Sequence, residues 1–122
     1  MLFRSLGFTK YLGVTSSTAW AIGSTDYATI QQFIEGYNVA DCGWGTANAK
    51  TVTLSFWVYC SLTGTFGGII NNGTSAGGWN RSYPFSYTIN TANTWQYITI
   101  VIPGDTSGTW NTTNGKIGRA HV

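Results

Sequence analysis

Between Lys50 and Ser61 the chain alternates without a slip. Val52, Leu54, Phe56, Val58 and Cys60 fall on one face, and Thr51, Thr53, Ser55, Trp57 and Tyr59 on the other. Side chains on a strand point alternately to its two faces, so the even positions predict a core-facing side, and the odd ones, aromatics apart, could meet solvent. The same period gives a shorter strand from Phe66 to Ile70. It gives another over Ser82 to Asn90, with Tyr83, Phe85, Tyr87 and Ile89 on one face. Trp95 to Ile102 follows, with Ile98, Ile100 and Ile102 on one side and Trp95, Tyr97 and Val101 on the other. Pro84 has no N–H to give a neighbouring strand, which predicts a sheet edge or a strand start there. Tyr11 to Val14 and Tyr27 to Tyr37 also read as strands, although Ile30 to Ile34 within the second could also form a short helical turn.

Turn chemistry separates these runs. Asp41 to Ala49 is a Gly-rich loop, Asn71 to Gly78 carries a strong turn signal, and Pro103-Gly104-Asp105 ends the last strand. At least four such strands with no convincing helix predict an all-β fold, an antiparallel sandwich or barrel. Beyond Trp110 the pattern offers no further strand. A sandwich ending there would leave an edge uncovered, so the expectation is a domain truncated at its C-terminus with strands missing. The division that follows is a lead-in over 1–26, a partial domain over 27–115 and a tail over 116–122.

Composition sharpens this picture. Thr, Ser, Asn and Gly make 54 of the 122 residues, whereas only 8% are charged, so solubility rests on neutral polar groups. Sixteen per cent aromatic residues demand a core and exclude a disordered segment. A formal charge of +2 is too small for a nucleic-acid footprint. No apolar run reaches the roughly 18 residues of a membrane span. Met1 to Lys10 has no continuous apolar region followed by a small-residue cleavage site, so no signal peptide is predicted. The last six residues, Ile117-Gly-Arg-Ala-His-Val122, resemble the reading-frame translation of a common short-read sequencing adapter, and Lys116 fits the preceding codon. Such scars are set aside in fold reasoning. Without Lys116 and Arg119 the charges balance at four against four, and the one His, His121, drops out.

Longer strings carry a resemblance. They run Gln32-Phe-Ile-Glu-Gly-Tyr-Asn-Val-Ala-Asp41, then Gly45-Thr-Ala-Asn-Ala-Lys-Thr-Val-Thr-Leu-Ser-Phe-Trp-Val58, then Ser61-Leu-Thr-Gly-Thr-Phe-Gly-Gly68. Asn80-Arg-Ser-Tyr-Pro-Phe-Ser-Tyr-Thr-Ile89, Ala92-Asn-Thr-Trp95 and Ile102-Pro-Gly-Asp-Thr-Ser-Gly-Thr-Trp110 continue the series. Together they resemble a family of jelly-roll domains in tail-fibre and other virion proteins of environmental bacteriophages, over roughly Tyr27 to Gly115 and more weakly from Leu6. That family is similar in fold to carbohydrate-binding, concanavalin-like modules. The resemblance implies an antiparallel jelly-roll β-sandwich, a virion or extracellular location, and a host glycan or other virion proteins as partners. It also implies a homo-oligomer in the full-length protein. Family members continue with further strands, including one that ends in a Gln-Leu-Glu stretch.

Catalytic chemistry is thinly supplied. A glycosidase needs two carboxylates about 5 to 9.5 Å apart, and the chain has only Asp26, Glu35, Asp41 and Asp105. Asp41 and Asp105 sit among turn residues and read as turn formers. A Ser-His-Asp arrangement would need His121, so no catalytic residue is assigned and a polysaccharide-degrading enzyme is disfavoured. Cys42 and Cys60 could form one bridge, but Cys60 on an apolar face reads more plainly as a buried thiol, and two free thiols are expected. Glu35, Asn38 and Asp41 lie close enough in sequence to suggest a structural calcium site, against the simpler reading that they shape a turn; no other cofactor is expected.

Binding is better served. Trp57 and Tyr59 lie opposite the apolar face, and Trp44, Trp79 and Tyr83 sit in or beside Gly-rich loops. Flat aromatic faces with polar tips suit a wet sugar interface, and Asn80 and Arg81 could add hydrogen bonds. These seven residues are the candidate carbohydrate-binding set. The alternative is that Trp57 packs beneath a further strand or a neighbouring subunit of a purely structural fibre module.

Overall fold

The computed structural model describes residues 7–19, 21, 23–73, 80–113 and 118–121, the last four as backbone. Two antiparallel sheets hold the strands. In the smaller, β2 (Val52–Tyr59) pairs with β5 (Trp95–Ile102) over its whole length, from Val52 opposite Ile102 to Tyr59 opposite Trp95. The larger has the order β1-β6-β3-β4, built from β1 (Gln31–Ile34), β3 (Gly64–Asn71), β4 (Ser82–Ile89) and β6 (Gly118–His121). A single turn of helix, α1 (Gly36–Val39), and a 3₁₀ turn over Ala40–Cys42 join β1 to β2.

Aromatic contacts fix which faces meet. The Phe56 ring of β2 stands edge-on to Tyr87 of β4 with centroids 5.2 Å apart, and Tyr87 stacks on Phe66 of β3 at 5.9 Å. Alternation along each strand then turns Val52, Leu54, Phe56 and Val58 inward, together with Ile98, Ile100 and Ile102. Phe66, Phe85, Tyr87 and Ile89 face them from the larger sheet. Ile89 and Ile102 are fully buried at the core's two ends, each contributing about 1.5–3 kcal/mol over an exposed side chain. Burial also pushes the Tyr87 phenol above its ordinary pKa, with Cys60 adding to the shift.

The all-β antiparallel expectation holds, and β5 matches its predicted bounds. Pro84 does lie on an edge strand, since β4 ends the larger sheet. Three expectations are corrected. Tyr11 to Val14 forms no strand; Tyr11 instead rests edge-on against Trp95, with centroids 5.9 Å apart. The strand expected over Tyr27 to Tyr37 shrinks to Gln31–Ile34, and the helical turn comes after it, at Gly36. At Gly36 another stretch of backbone passes so close that a Cβ would lie 2.6 Å from the Thr113 carbonyl oxygen, so the position has room only for glycine. Finally, a strand does follow Trp110. β6 pairs with β1 on one side and β3 on the other, within the segment read as translated adapter. Its Gly-Arg-Ala-His sequence has no apolar alternation, because backbone pairing on both edges needs none.

Candidate functional site

The outer face of the β2–β5 pair gathers four aromatic rings. Register places Trp57 opposite Tyr97 and Tyr59 opposite Trp95. Their ring centroids are 5.1 and 5.5 Å apart, with planes tilted by 45° and 53°. Tyr59 is 49% and Tyr97 56% exposed, while Trp57 and Trp95 are half-buried, Trp95 with the Tyr11 ring edge-on against it. Such cross-strand aromatic pairs stabilise the sheet and still leave ring faces to solvent. One end of the patch is polar: the Tyr59 hydroxyl lies 3.5 Å from Asn93 Oδ1. Asn93 takes the left-handed conformation, with φ of 56°, and its N–H donates to the Cys60 carbonyl at 2.7 Å, which fixes the turn against the end of β2.

Below this patch the outer face changes character. Ser55 stands opposite Thr99, and Thr53 opposite Val101, all four exposed. The whole outer row therefore runs from aromatic to hydroxyl without one charged side chain.

A second cluster ties the loops together beside the opposite end of the sheets. Asn72 is buried and bonds on every side. Its Nδ2 donates to Asn80 Oδ1 and to the Thr109 carbonyl, both at 2.7 Å. Its Oδ1 accepts from the N–H groups of Asn80 and Arg81 at 3.1 and 3.0 Å. Its own N–H donates to the Arg81 carbonyl. The Arg81 guanidinium grips Asp105 through Nε and Nη2 and reaches Ser107 Oγ at 3.0 Å. Trp110 Nε1 donates to Asp105 Oδ2 at 2.9 Å, and the Trp110 ring meets Trp44 edge-on at 4.5 Å. Trp44 in turn donates to the Lys50 carbonyl. The Arg81 bond, joined by Trp110 and the Ser107 N–H, holds the Asp105 carboxyl far below the usual carboxylate range, against the opposing effect of partial burial.

The structure thus divides the candidate residues. Trp57 and Tyr59 share the outer face. Trp44, Asn80 and Arg81 belong to the loop cluster, where their polar groups are already bonded within the chain. Tyr83 points with Phe85 and Tyr87 toward the smaller sheet. Trp79 lies outside the described residues. Trp95 and Tyr97 were not in the predicted set, yet they complete the patch; pairing the two periodic strands antiparallel would have found them.

Of the calcium candidates, Glu35 precedes α1 without capping it through its side chain, Asn38 is within α1, and Asp41 is in the 3₁₀ turn. Among the described residues no group of three or more His, Cys, Asp or Glu is placed to hold a metal ion. Asp105 makes the expected turn bond, accepting from the Ser107 N–H at 3.1 Å, and adds the ion pair with Arg81. Cys42 and Cys60 are free thiols. Burial and the neighbouring Asp41 push the Cys42 thiol above its ordinary pKa, partly offset by Lys50. Among the described residues no helix is long and apolar enough to cross a membrane.

No family model, curated protein or solved structure matches the chain.

Proposed function

We propose that this chain is a non-enzymatic recognition domain of jelly-roll type that presents the outer face of β2 and β5 to a glycan. The setting is the one its sequence resemblance implies, a phage virion or tail-fibre protein that adheres to a host surface. The observation that carries the reading is the four-ring patch of Trp57, Tyr59, Trp95 and Tyr97, half open to solvent and built on two paired strands. Rings supported by strands are pre-positioned, so a ligand stacking on them does not have to order a loop first. In chain order the β3–β4 hairpin of one sheet falls between β2 and β5 of the other, which is compatible with a jelly roll. Asp105, engaged by Arg81 and Trp110, leaves few carboxylates for hydrolysis.

A second reading is a fibre module without a ligand, in which a neighbouring subunit covers the same patch. Exposed Val101 and Tyr97 favour it, since apolar outer positions also suit a protein interface. A glycan array probed with the full-length gene product and its Tyr97→Ala variant separates the two. Sugar binding lost in the variant supports adhesion; no sugar bound by either, with host adsorption unchanged by Tyr97→Ala, establishes the structural module.

A further inference from the structure

We propose that Asn72 is a latent modification site: with Gly73 it forms a pair that cyclises and loses the side-chain amide, and the loop cluster shuts that reaction off while the domain is folded. The chemistry is the chain's own and needs only water, so it does not depend on what the outer face of β2 and β5 binds.

The reacting pair is set by sequence. Asn72 is followed by Gly73 and Asn114 by Gly115, the latter pair outside the described residues, whereas the other seven Asn precede larger residues. Gly carries no side chain to hinder its backbone nitrogen, and its dihedral angles are the least restricted. In an open chain that nitrogen therefore reaches the Cγ of the preceding Asn. A bond forms between the Gly73 nitrogen and Asn72 Cγ, the Cγ–Nδ2 bond breaks, and the amide nitrogen leaves as ammonia with the proton that Gly73 gives up. The product is a cyclic imide. Water then opens one or other of its C–N bonds, leaving Asp, or isoAsp with the backbone rerouted through the side chain. Either way a carboxylate replaces a neutral amide.

The fold withholds what this reaction needs. Asn72 is 1% exposed, which keeps water from the imide. Ring closure requires the amide to turn the face of its carbonyl carbon to Gly73 and then to release Nδ2. Both ends of the amide are pinned against that turn. Oδ1 accepts from the N–H groups of Asn80 and Arg81, and Nδ2, the atom that must depart, donates to Asn80 Oδ1 and the Thr109 carbonyl. A network in which every member is bonded gives up these bonds together. Asn71 is the contrast next door: equally buried, it is followed by a residue with a side chain and has no reacting partner.

Reaction is thus confined to molecules whose loop cluster has opened, and its rate reports how often that happens. Closure over the product is disfavoured, because the new carboxylate meets the Thr109 carbonyl and Asn80 Oδ1, both acceptors. An opening that is ordinarily reversible becomes permanent in the molecules that react.

The test is peptide mapping by mass spectrometry of the full chain, held at one slightly alkaline pH and one temperature in native buffer and in urea, with tryptophan fluorescence reporting the folded and unfolded states. Asn72 should convert at least about a hundredfold more slowly in the folded chain than in urea, and Asn71 should convert in neither. In urea, Gly73→Ala should suppress conversion at Asn72 and leave Asn114 reacting. Asn80→Ala, at an exposed position, removes one acceptor of Nδ2 and should speed the folded-state reaction roughly fivefold; a thermal melt confirms that this variant folds. Chains converted at Asn72 alone, separated by chromatography and returned to buffer, should unfold at lower urea than unconverted chains. Folded and unfolded rates that agree, or a folded-state rate that ignores Asn80→Ala, would overturn the protection. No conversion at Asn72 in urea while Asn114 converts would overturn the reactive pair. An unchanged urea midpoint after conversion would overturn the permanence of the opening.

Discussion

Replacing Asn72 by Ala removes one amide and breaks four side-chain hydrogen bonds at once. The N–H groups of Asn80 and Arg81 lose their acceptor, and the Thr109 carbonyl and Asn80 Oδ1 lose their donor. A buried polar group left without a partner costs about 1–3 kcal/mol, and a cooperative network loses more than one bond's worth. Asn80 and Thr109 are exposed enough for water to replace part of what is lost, so the net effect should be about 2–4 kcal/mol. With a urea slope of about 1–3 kcal/mol per molar, the unfolding midpoint should fall by about 1–2 M. Asn72→Asp makes the argument sharper. Its carboxylate can still accept from the two N–H groups, but it faces the Thr109 carbonyl and Asn80 Oδ1, both acceptors. The folded state therefore favours the protonated acid and raises its pKa. The penalty should be fully present at neutral pH and shrink as pH falls through that raised value, because the acid O–H then donates as the amide did. Urea titrations of Asn72→Ala and Asn72→Asp at neutral and acidic pH measure both effects. An Asn72→Ala midpoint within about 0.3 M of the parent would refute the view that this residue holds the loops together.

Three further outcomes follow from the same packing. Ile102→Ala, at a fully buried core position, should cost about 2–5 kcal/mol by chemical denaturation, whereas Val101→Ala on the outer face should cost well under half of that. Gly104→Ala would put a Cβ 2.6 Å from the Ala49 carbonyl carbon and 2.7 Å from two carbonyl oxygens; because backbone cannot swing aside as a side chain can, a loss of about 1–3 kcal/mol is expected in a thermal melt. Asp105 has a folded-state pKa held below its unfolded value, so its contribution is present above the ordinary carboxylate range and disappears as pH falls through the lower, folded value. Acid unfolding followed by tryptophan fluorescence should therefore be less steep in Asp105→Asn, which is already destabilised at neutral pH.

The long strands were legible because their side chains obey period two against a shared core. β2 and β4 each carry four apolar residues on one face and β5 three, and Phe56 and Tyr87 meet as that pattern requires. β1 and β6 were not legible in the same way. Both are four residues long, and β1 is exposed throughout, so pairing and not burial defines them. Half of the candidate site was visible as Trp57 and Tyr59. Their partners needed the register between strands far apart in sequence. The loop cluster misled for a different reason: Trp44, Asn80 and Arg81 have the chemistry of a binding site, and only the fold shows that Asn72, Asp105 and Trp110 already occupy it.

The pairing of β2 with β5 has a consequence for the order of events in folding. Both strands of the β3–β4 hairpin lie between them in the chain, so the β2–β5 ladder closes a long loop, whereas β3 and β4 meet after a shorter one. Contacts of large sequence separation form late because the entropy of loop closure must be met first. The face bearing Trp57, Tyr59, Trp95 and Tyr97 cannot exist before β5 has left the ribosome, and its longer loop favours closure after that of the intervening hairpin. A partly synthesised chain has the rings of Trp57 and Tyr59 but not the Trp95 and Tyr97 that complete the patch, so the four-ring face arrives together with the last long strand.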